Sequence, residues 1–543
     1  MTQDYEGGDL VVESLRALGV KQIFSVSGGP LNSVYRAAAR YQLPLIHSRH
    51  ESAAGFMADA TARISRIPGV ALVTLGPGVT NMTTPALVAK MAGTPLLIIG
   101  AQAPLSVVDR GVAMAADHLS IMQPVVKWAA RVPTTQQIPE YLEMAWRHMW
   151  SGTPGPVFLE IPTDLLSAPA QPAEPARFTR SRAGMTVEAR DGLSELVRKA
   201  RRPLFILGDE LHWDAPNALT STVERIGAPF VTMRLARGIV DERHALCAGP
   251  GYLPLNESLQ TTLDEADLIM MIGHHFEFDI GFGCTVGPQA KVVQFSSDAA
   301  MLHRNRNADL AAVAGASAVI EALAGAECPG LDRDWVALRT DAWRDERKAQ
   351  ADDNDSSGSL HPVAAIDAVV EGAPLDAVFV TSHGNIDFWA DGRIRVMASD
   401  LYLRAGQGGA LGAEVCFGIG ARFANPGRPA IVFVGDGGVG YHVTEIDTAA
   451  RYDRPVIIVV LDDQKWSAIA LPQKMRYGDE FEMELPRRDW PAVAKVLGGT
   501  GYFAATVEEI RTAISDAIAS GKPAIVHIPV KSALSPYMAA VSK

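Results

Sequence analysis

Short apolar runs recur along the whole chain, and each ends at a turn residue or a polar one. The runs are mostly apolar throughout and do not alternate with polar positions, as in strands covered on both faces of a parallel sheet. They lie at 70–73, 96–99, 157–161, 204–207, 268–272, 292–295, 378–380, 431–434, 456–461 and 525–528. The pattern therefore predicts an α/β fold built on parallel sheets.

Amphipathic stretches between these runs, such as 53–63 and 506–519, predict helices. Two segments break the pattern. Residues 166–184 are rich in Pro, Ala and Arg, and residues 350–360 are acidic and Ser-rich, which is typical of linkers. We therefore expect three α/β domains, 1–165, 185–340 and 360–543, in keeping with about 150 residues per domain.

The composition narrows the function classes. Of 543 residues, 48% are hydrophobic and 20% charged, and the net charge is −12, which argues against nucleic acid or an anionic membrane as a partner. The first residues lack the features of a signal peptide, and no apolar run is long enough to span a bilayer. The four cysteines are scattered without a CxxC pair. We expect a cytoplasmic protein with reduced thiols.

The strongest candidate chemistry lies in the last third of the chain. Gly435-Asp436-Gly437-Gly438 follows a predicted strand, and Asp463 comes 27 positions after Asp436, directly after the next strand. That spacing is the length of a β-turn-α-β unit, which brings both carboxylates to one sheet edge. Glycines let backbone N–H groups approach a phosphate, and carboxylates suit Mg²⁺. Gly-Asp-Gly alone is a common tripeptide, but the spacing and context favour a metal–diphosphate site over two unrelated turns.

The segment GDGGVGYHVTEIDTAARYDRPVIIVVLDDQKW resembles the cofactor-binding signature of thiamine diphosphate (thiamine pyrophosphate) enzymes. The resemblance implies that Asp436 and Asp463 are side-chain ligands of Mg²⁺ and that the Lys465 carbonyl is a third. The sequence departs from the family at Asp462, where an Asn is usual. An extra carboxylate there is expected either to tighten Mg²⁺ binding or to repel the diphosphate.

A second segment, RHESAAGFMADATARISRIPGVALVTLGPGVTN, resembles the pyrimidine-binding domain of the same family. By this resemblance Glu51 is the acid that protonates the aminopyrimidine ring, and Thr74, Gly76 and Asn81 line the cofactor. Further segments resemble the diphosphate loop and the turn that bends the cofactor. The implied C-terminal cofactor-binding residues are Gly384, Asn385, Gly409, Leu411, Asp436, Gly437, Gly438 and Trp466.

The resemblance covers the whole chain and is greatest to acetolactate synthase large subunits, benzaldehyde lyase and 2-hydroxyacyl-CoA lyase. It implies a thiamine diphosphate- and Mg²⁺-dependent lyase or carboligase that makes or breaks a C–C bond next to a carbonyl, through a C2 ylide and an enamine. It also implies a homodimer or homotetramer with active sites between chains. A 2-oxo acid decarboxylase, a 2-hydroxyacyl-CoA lyase, a flavin-assisted oxidase and a non-catalytic relative remain alternatives. FAD or ADP in the central domain stays undecided.

The substrate pocket departs from familiar members of the family. Met114 stands where acetolactate synthases usually carry Gln, and Pro30 stands where benzaldehyde lyase carries His. The candidate pocket residues are Gly29, Pro30, Met114, Ala468 and Ile469. Sites that hydrogen-bond a substrate discriminate far more strongly than apolar ones. We therefore expect a poor classical acetolactate synthase that prefers apolar or bulky acyl groups, or a CoA thioester. His118, His383 and His442 also fall near the site, more as structural hydrogen-bonding groups than as catalysts.

Overall fold

The computed structural model describes residues 5–351, 360–405 and 408–541, so most of the predicted second linker lies outside the described residues. Within them the chain forms three six-stranded sheets in which every strand pairing is parallel. Helices cover the sheets. The predicted α/β fold class is confirmed.

The N-terminal unit contains the first sheet. Its strands are β1 (Ile23–Ser25), β2 (Leu45–His47), β3 (Gly69–Val73), β4 (Leu96–Gln102), β5 (Trp128–Arg131) and β6 (Val157–Pro162). Its helices are α1 (Gly7–Ala17), α2 (Asn32–Arg40), α3 (Glu51–Ser65), α4 (Pro77–Thr80), α5 (Thr83–Ala92), α6 (His118–Met122), α7 (Ile138–Trp150) and α8 (Thr163–Ser167). The strand order is β2-β1-β3-β4-β6-β5.

The central unit contains the second sheet, with the order β12-β11-β10-β7-β8-β9. Its strands are β7 (Pro203–Leu207), β8 (Phe230–Thr232), β9 (Cys247–Pro250), β10 (Leu268–Ile272), β11 (Lys291–Ser296) and β12 (Leu310–Val313). Its helices are α9 (Val187–Lys199), α10 (Leu219–Ile226), α11 (Glu257–Glu265), α12 (Ala316–Ala322) and α13 (Arg333–Ala351). The last helix continues past the boundary predicted at residue 340.

The C-terminal unit contains the third sheet. Its strands are β13 (Val378–Thr381), β14 (Tyr402–Arg404), β15 (Ala430–Gly435), β16 (Ile457–Asp462), β17 (Thr500–Phe503) and β18 (Ala524–Pro529). Its helices are α14 (Pro362–Gly372), α15 (Asn385–Arg393), α16 (Ala413–Ala424), α17 (Asp436–Val439), α18 (Ile446–Arg451), α19 (Ser467–Tyr477), α20 (Trp490–Val496), α21 (Val507–Ala519) and α22 (Pro536–Val541). The order β14-β13-β15-β16-β18-β17 repeats that of the first sheet.

One apolar core joins the N- and C-terminal units, and the helices α3 and α16 pack against each other inside it. Their backbones come close because Gly420 has no side chain: a Cβ there would lie 2.5 Å from the Met57 carbonyl oxygen. The fully buried Arg63 of α3 pairs with Asp59 and donates to the Arg404 carbonyl at 2.8 Å. Because Arg63 lies in the last turn of α3, this contact joins the C-terminal end of α3 to the end of β14. In the described part of the chain, no helix combines the length and apolar character needed to cross a bilayer.

Candidate functional site

A cavity of about 290 Å³ lies at the carboxyl edge of the third sheet, among the segments that follow β13, β15 and β16. Ligands of open parallel sheets bind at this edge. The cavity is lined by each C-terminal residue that the sequence analysis assigned to the cofactor, the metal or the substrate: Gly384, Asn385, Gly409, Leu411, Asp436, Gly437, Gly438, Asp463, Lys465, Trp466, Ala468 and Ile469. These residues come from four separate segments of the chain, and only the fold brings them together.

Two carboxylates of the cavity, Asp436 and Asp463, have raised pKa values. Strands β15 and β16 pair in register, Gly435 with Leu461, so the turns bearing Asp436 and Asp463 are neighbours. Burial, followed by the charges of Asp462 and Asp463, raises the pKa of Asp436 to about 8. Burial also raises the pKa of Asp463. A divalent cation between these carboxylates would relieve both effects.

Asp462, the departure from the family signature, has its own partner. Its carboxylate accepts hydrogen bonds from His527 Nε2 at 2.8 Å and from the Gln464 N–H at 3.0 Å. Burial opposes ionisation, but these hydrogen bonds hold the pKa of Asp462 below its ordinary value. The Asp462 carboxylate is therefore hydrogen-bonded to His527 of β18, which compensates its charge within the protein.

Glycines shape the cavity at two places. A Cβ on Gly437 would lie 2.5 Å from the Trp466 ring, so only glycine lets the turn after Asp436 pack against that indole. Leu411 projects from a turn between Gly409 (φ 72°) and Gly412 (φ 75°), both in the left-handed region that favours glycine. This turn places Leu411 in the cavity wall.

The N-terminal candidates form a second cluster. Glu51 is the first residue of α3 and is half-buried. Asn81 Nδ2 donates to Glu51 Oε2 at 2.9 Å. Thr74 and Gly76 (φ 64°) follow β3, and a Cβ on Gly76 would lie 2.7 Å from the Met114 carbonyl oxygen. The 29–31 turn that holds Gly29 and Pro30 lies beside them, since a Cβ on Gly28 would touch Thr74.

His118 supports this cluster through hydrogen bonds, the kind of structural role that the sequence analysis expected of it. Its Nε2 accepts a hydrogen bond from the Gly76 N–H at 2.9 Å, and its Nδ1 lies 2.9 Å from Glu160 Oε1. Glu160 is also paired with Arg131. The hydrogen-bond pattern assigns the proton to Nδ1, so the ring positions the Gly76 loop.

Within one chain the two clusters do not share a cavity. Of the described residues that line the C-terminal cavity, none belongs to the N-terminal unit. The start of α3 instead lies beside 442–445 of its own chain: Ser52 Oγ is 3.0 Å from His442 Nε2, and the Arg49 N–H donates to Glu445 at 2.9 Å. His442 in turn contacts the Gly412 carbonyl at 3.1 Å. Each chain thus presents two half-sites.

Comparison with known protein families matches all three units in order. Residues 5–121 match the N-terminal TPP binding domain of thiamine pyrophosphate enzymes, 191–323 the central domain, and 382–528 the C-terminal TPP binding domain. The chain belongs to the thiamine pyrophosphate enzymes. The two TPP binding domains contain the Glu51 cluster and the C-terminal cavity, and the matched central domain lies between them in the chain. Family membership and geometry therefore both indicate a thiamine diphosphate-dependent enzyme.

Individual relatives in this family match along nearly the whole chain. A 2-hydroxyacyl-CoA lyase 2 of Caenorhabditis elegans is 29% identical over 543 residues, covering 91% of this chain and 84% of the relative. Acetolactate synthase large subunit IlvG of Mycobacterium tuberculosis is 28% identical over 535 residues, covering 97% and 96%. The human 2-hydroxyacyl-CoA lyase 2 is 29% identical over 581 residues, covering 96% and 89%.

The C-terminal cavity fits the cofactor of this family. The Asp436 carboxylate, whose ionisation is opposed by the neighbouring Asp462 and Asp463, suits a cation, and the backbone of Gly437 and Gly438 lines the cavity in which a diphosphate would lie. Among the described residues, no three His, Cys, Asp or Glu side chains converge on one point as a ready metal centre. A cation here would therefore also need backbone and diphosphate oxygens.

The central crevice, where a flavin or another dinucleotide would bind, presents carboxylates in its loops. The strand order of the second sheet reverses between β10 and β7, where such ligands bind. The loops there bond to each other, from the Gly208 N–H to the Ile272 carbonyl at 2.8 Å. Asp209 and Glu277 pair with the half-buried Arg234 in the same place. A pyrophosphate would meet carboxylates and backbone donors that are already used.

Proposed function

We propose that this enzyme makes or breaks a C–C bond next to a carbonyl group, as a thiamine diphosphate- and Mg²⁺-dependent lyase or carboligase. The observation that carries the proposal is the division of the chain into an acid half-site around Glu51 and an anion-and-cation half-site around Asp436. The names of the relatives, 2-hydroxyacyl-CoA lyase and acetolactate synthase, support this reaction class.

The C-terminal half-site would hold the cofactor. The Asp436 and Asp463 carboxylates and the Lys465 carbonyl would bind Mg²⁺, while the turn at Gly437 and Gly438 would receive the diphosphate. Bound thiamine diphosphate supplies a nucleophilic carbon that adds to a carbonyl and accepts the electron pair of the adjacent bond. Leu411 and Trp466 in the cavity wall would orient its rings and exclude water.

Glu51 would move the proton that this chemistry requires. Its Oε2 is held by the amide of Asn81, which leaves Oε1 to exchange a proton with the aminopyrimidine ring nitrogen. The amide fixes the orientation of the carboxyl, and the Gly76 loop beside it is fixed by His118. The half-site thus holds its acid in one place before any ligand arrives.

A complete site would need two chains. The cavity contains no described residue of the N-terminal unit of its own chain, and Glu51 lies beside 442–445 of that chain. A second copy would bring its Glu51 half-site to the cavity of the first. We therefore propose a homodimer, or a tetramer of two such dimers.

The substrate surface favours an apolar or bulky acyl group. Met114 is 52% exposed beside Gly76 and Ile469 is 53% exposed at the cavity, and neither they nor Pro30 and Ala468 can hydrogen-bond through a side chain. A small charged acid such as pyruvate would gain little from these side chains. Apolar pockets also discriminate weakly, so a range of acyl groups should react.

The test is kcat/KM for pyruvate against 2-oxo acids with long or aromatic side chains, 2-hydroxyketones and 2-hydroxyacyl-CoA thioesters. We expect at least one bulky substrate to exceed pyruvate by about tenfold or more. A pyruvate kcat/KM equal to or above all the others would contradict the substrate class. Met114→Gln supplies an amide that can hydrogen-bond a substrate, so it should reduce the difference in kcat/KM between the bulky substrates and pyruvate.

A flavin-assisted oxidase is disfavoured by the carboxylates at the central crevice. The purified protein should show no flavin absorbance, and added FAD should leave its melting temperature unchanged. Thiamine diphosphate with Mg²⁺ is the positive control, because a ligand that binds the folded state stabilises it. A stoichiometric flavin spectrum would overturn this conclusion.

A further inference from the structure

Two buried acids in the wall of the C-terminal cavity fall outside every motif of the sequence. Asp387 is the third residue of α15 and Glu414 the second residue of α16, and their exposed fractions are 4% and 1%. Both line the cavity that would hold the diphosphate. Carboxylates facing an anion would repel it, so their presence here requires an explanation.

Glu414 occupies the space that a side chain at position 438 would otherwise fill. A Cβ on Gly438 would lie 3.0 Å from Glu414 Oε1. The other carboxyl oxygen, Oε2, is buried without a hydrogen-bond partner among the described residues. Gly438 belongs to the turn proposed to receive the diphosphate. Glu414 therefore presents Oε1 to this turn and leaves Oε2 unsatisfied inside the wall, which disfavours the charged carboxylate.

Among the described residues, no cation forms an ion pair with either acid. Asp387 accepts a hydrogen bond from the Ser382 N–H at 2.7 Å, and the nearby Arg404 is engaged by Asp391 at 3.1 Å. Burial raises the pKa of Glu414 to about 7, against hydrogen bonds from Ser382 and Gly412. Burial and then the Glu414 charge raise the pKa of Asp387. The other titratable or charged groups around the pair or the cavity include His383, Asp391, Arg404, Cys416, Asp436, Asp463 and Lys465.

We propose that Glu414 binds the cofactor as a protonated acid, with Oε1–H donating a hydrogen bond to the diphosphate and Asp387 as its buried neighbour. This inference rests on the proposed function, because it needs the diphosphate in this cavity. A neutral carboxyl is a donor, and its O–H bond to an anionic oxygen is among the stronger hydrogen bonds. Where Glu414 is ionised in the free protein, binding takes up one proton from the buffer at this residue.

The pH dependence of binding follows with a definite sign. Only the protonated form donates, so its contribution to affinity is complete below the pKa of Glu414 and is lost as the pH rises above it. Titration calorimetry of thiamine diphosphate with Mg²⁺ in buffers of different ionisation enthalpy measures the protons taken up. The dissociation constant should rise by up to about tenfold per unit above pH 7.

Glu414→Gln is the decisive variant, since its amide can still donate but does not titrate. It should bind the cofactor, lose this pH dependence, and take up about one proton fewer than the wild type near pH 8. Glu414→Ala lacks the donor and should bind about tenfold or more weakly at low pH, again without the dependence. Any proton uptake or release at Asp436 is the same in the wild type and in the two Glu414 variants. It therefore cancels when their proton uptakes are subtracted.

The exposed Glu508→Gln on α21 is the matched control and should behave like the wild type. Equal proton uptake and pH dependence in the wild type and in whichever Glu414 variant folds would overturn the proposal. Failure of the wild type to bind thiamine diphosphate at any pH would instead overturn the proposed function. The two failures are therefore distinguishable.

Discussion

The N- and C-terminal units have the same strand order but carry different functional groups. In each unit a long helix follows an edge strand, α3 after β2 and α16 after β14, and the two helices pack together. Each helix also carries an acid in its first turn, Glu51 in α3 and Glu414 in α16. The two units thus share one scaffold, and the residues proposed to act in the reaction lie where its strands end and its helices begin.

The difference between the two units lies in what surrounds those acids. Glu51 is half-exposed and held by one amide, which suits exchange of a proton with a ligand. The C-terminal turns instead collect Asp436, Asp462 and Asp463 at adjoining strand ends, which suits a cation and an anion together. Shared topology therefore does not imply shared function, and each role must be read from the site.

The largest effect should come from the C-terminal half-site. Asp436→Ala should abolish Mg²⁺-dependent binding of thiamine diphosphate, because the diphosphate would face the remaining carboxylates without its counter-ion. Asp463→Asn is the matched control and should still bind, since an amide oxygen also coordinates Mg²⁺. Calorimetry measures both. Unchanged binding by Asp436→Ala would mean that the metal assignment is wrong.

The N-terminal half-site should affect chemistry but not binding. Glu51→Gln should keep the cofactor affinity and lower proton exchange at the cofactor, and with it turnover, by about 10²–10⁴-fold, the range for one proton-transfer partner. Hydrogen–deuterium exchange at cofactor C2, followed by NMR, measures this step. Near wild-type exchange would mean that Glu51 does not transfer the proton. The proposed division into a catalytic N-terminal half-site and a binding C-terminal half-site would then be wrong.

The contact between the halves should affect stability more than chemistry. Asp59→Asn leaves the fully buried Arg63 without its carboxylate and should cost about 3–5 kcal/mol of unfolding free energy. Glu195→Gln, which removes the exposed partner of Lys199, should leave the free energy of unfolding nearly unchanged. Urea denaturation compares them. Equal small losses would mean that the buried pair does not hold α3 and α16 in place.

The sequence predicted the inner strands of the sheets well and the outer ones poorly. The ten apolar runs correspond to β3, β4, β6, β7, β10, β11, β13, β15, β16 and β18. The eight strands that it did not indicate have three or four residues each, and six of them, β2, β5, β9, β12, β14 and β17, are sheet edges. An edge strand is short and packs against fewer neighbours, so it needs no long apolar run.

The sequence predicted those site residues that belong to a motif at the end of a strand. It did not predict the residues whose role depends on tertiary contacts. Asp436 and Asp463 follow from spacing alone, because parallel neighbours end at one edge. No local pattern marks Glu414, Asp387 or the His527 partner of Asp462, because each acquires its role from residues distant in the chain. The roles of Glu51 and the other family residues come from resemblance and remain predictions.

The central claim is that the two half-sites act together only when they come from different chains. Mixing Glu51→Gln chains with Asp436→Ala chains tests it directly, because neither variant alone has an intact site. After subunit exchange we predict about one quarter of wild-type activity, since half of randomly mixed dimers are heterodimers with one intact site of two. No recovery of activity, with heterodimers demonstrated by native mass spectrometry, would contradict the account.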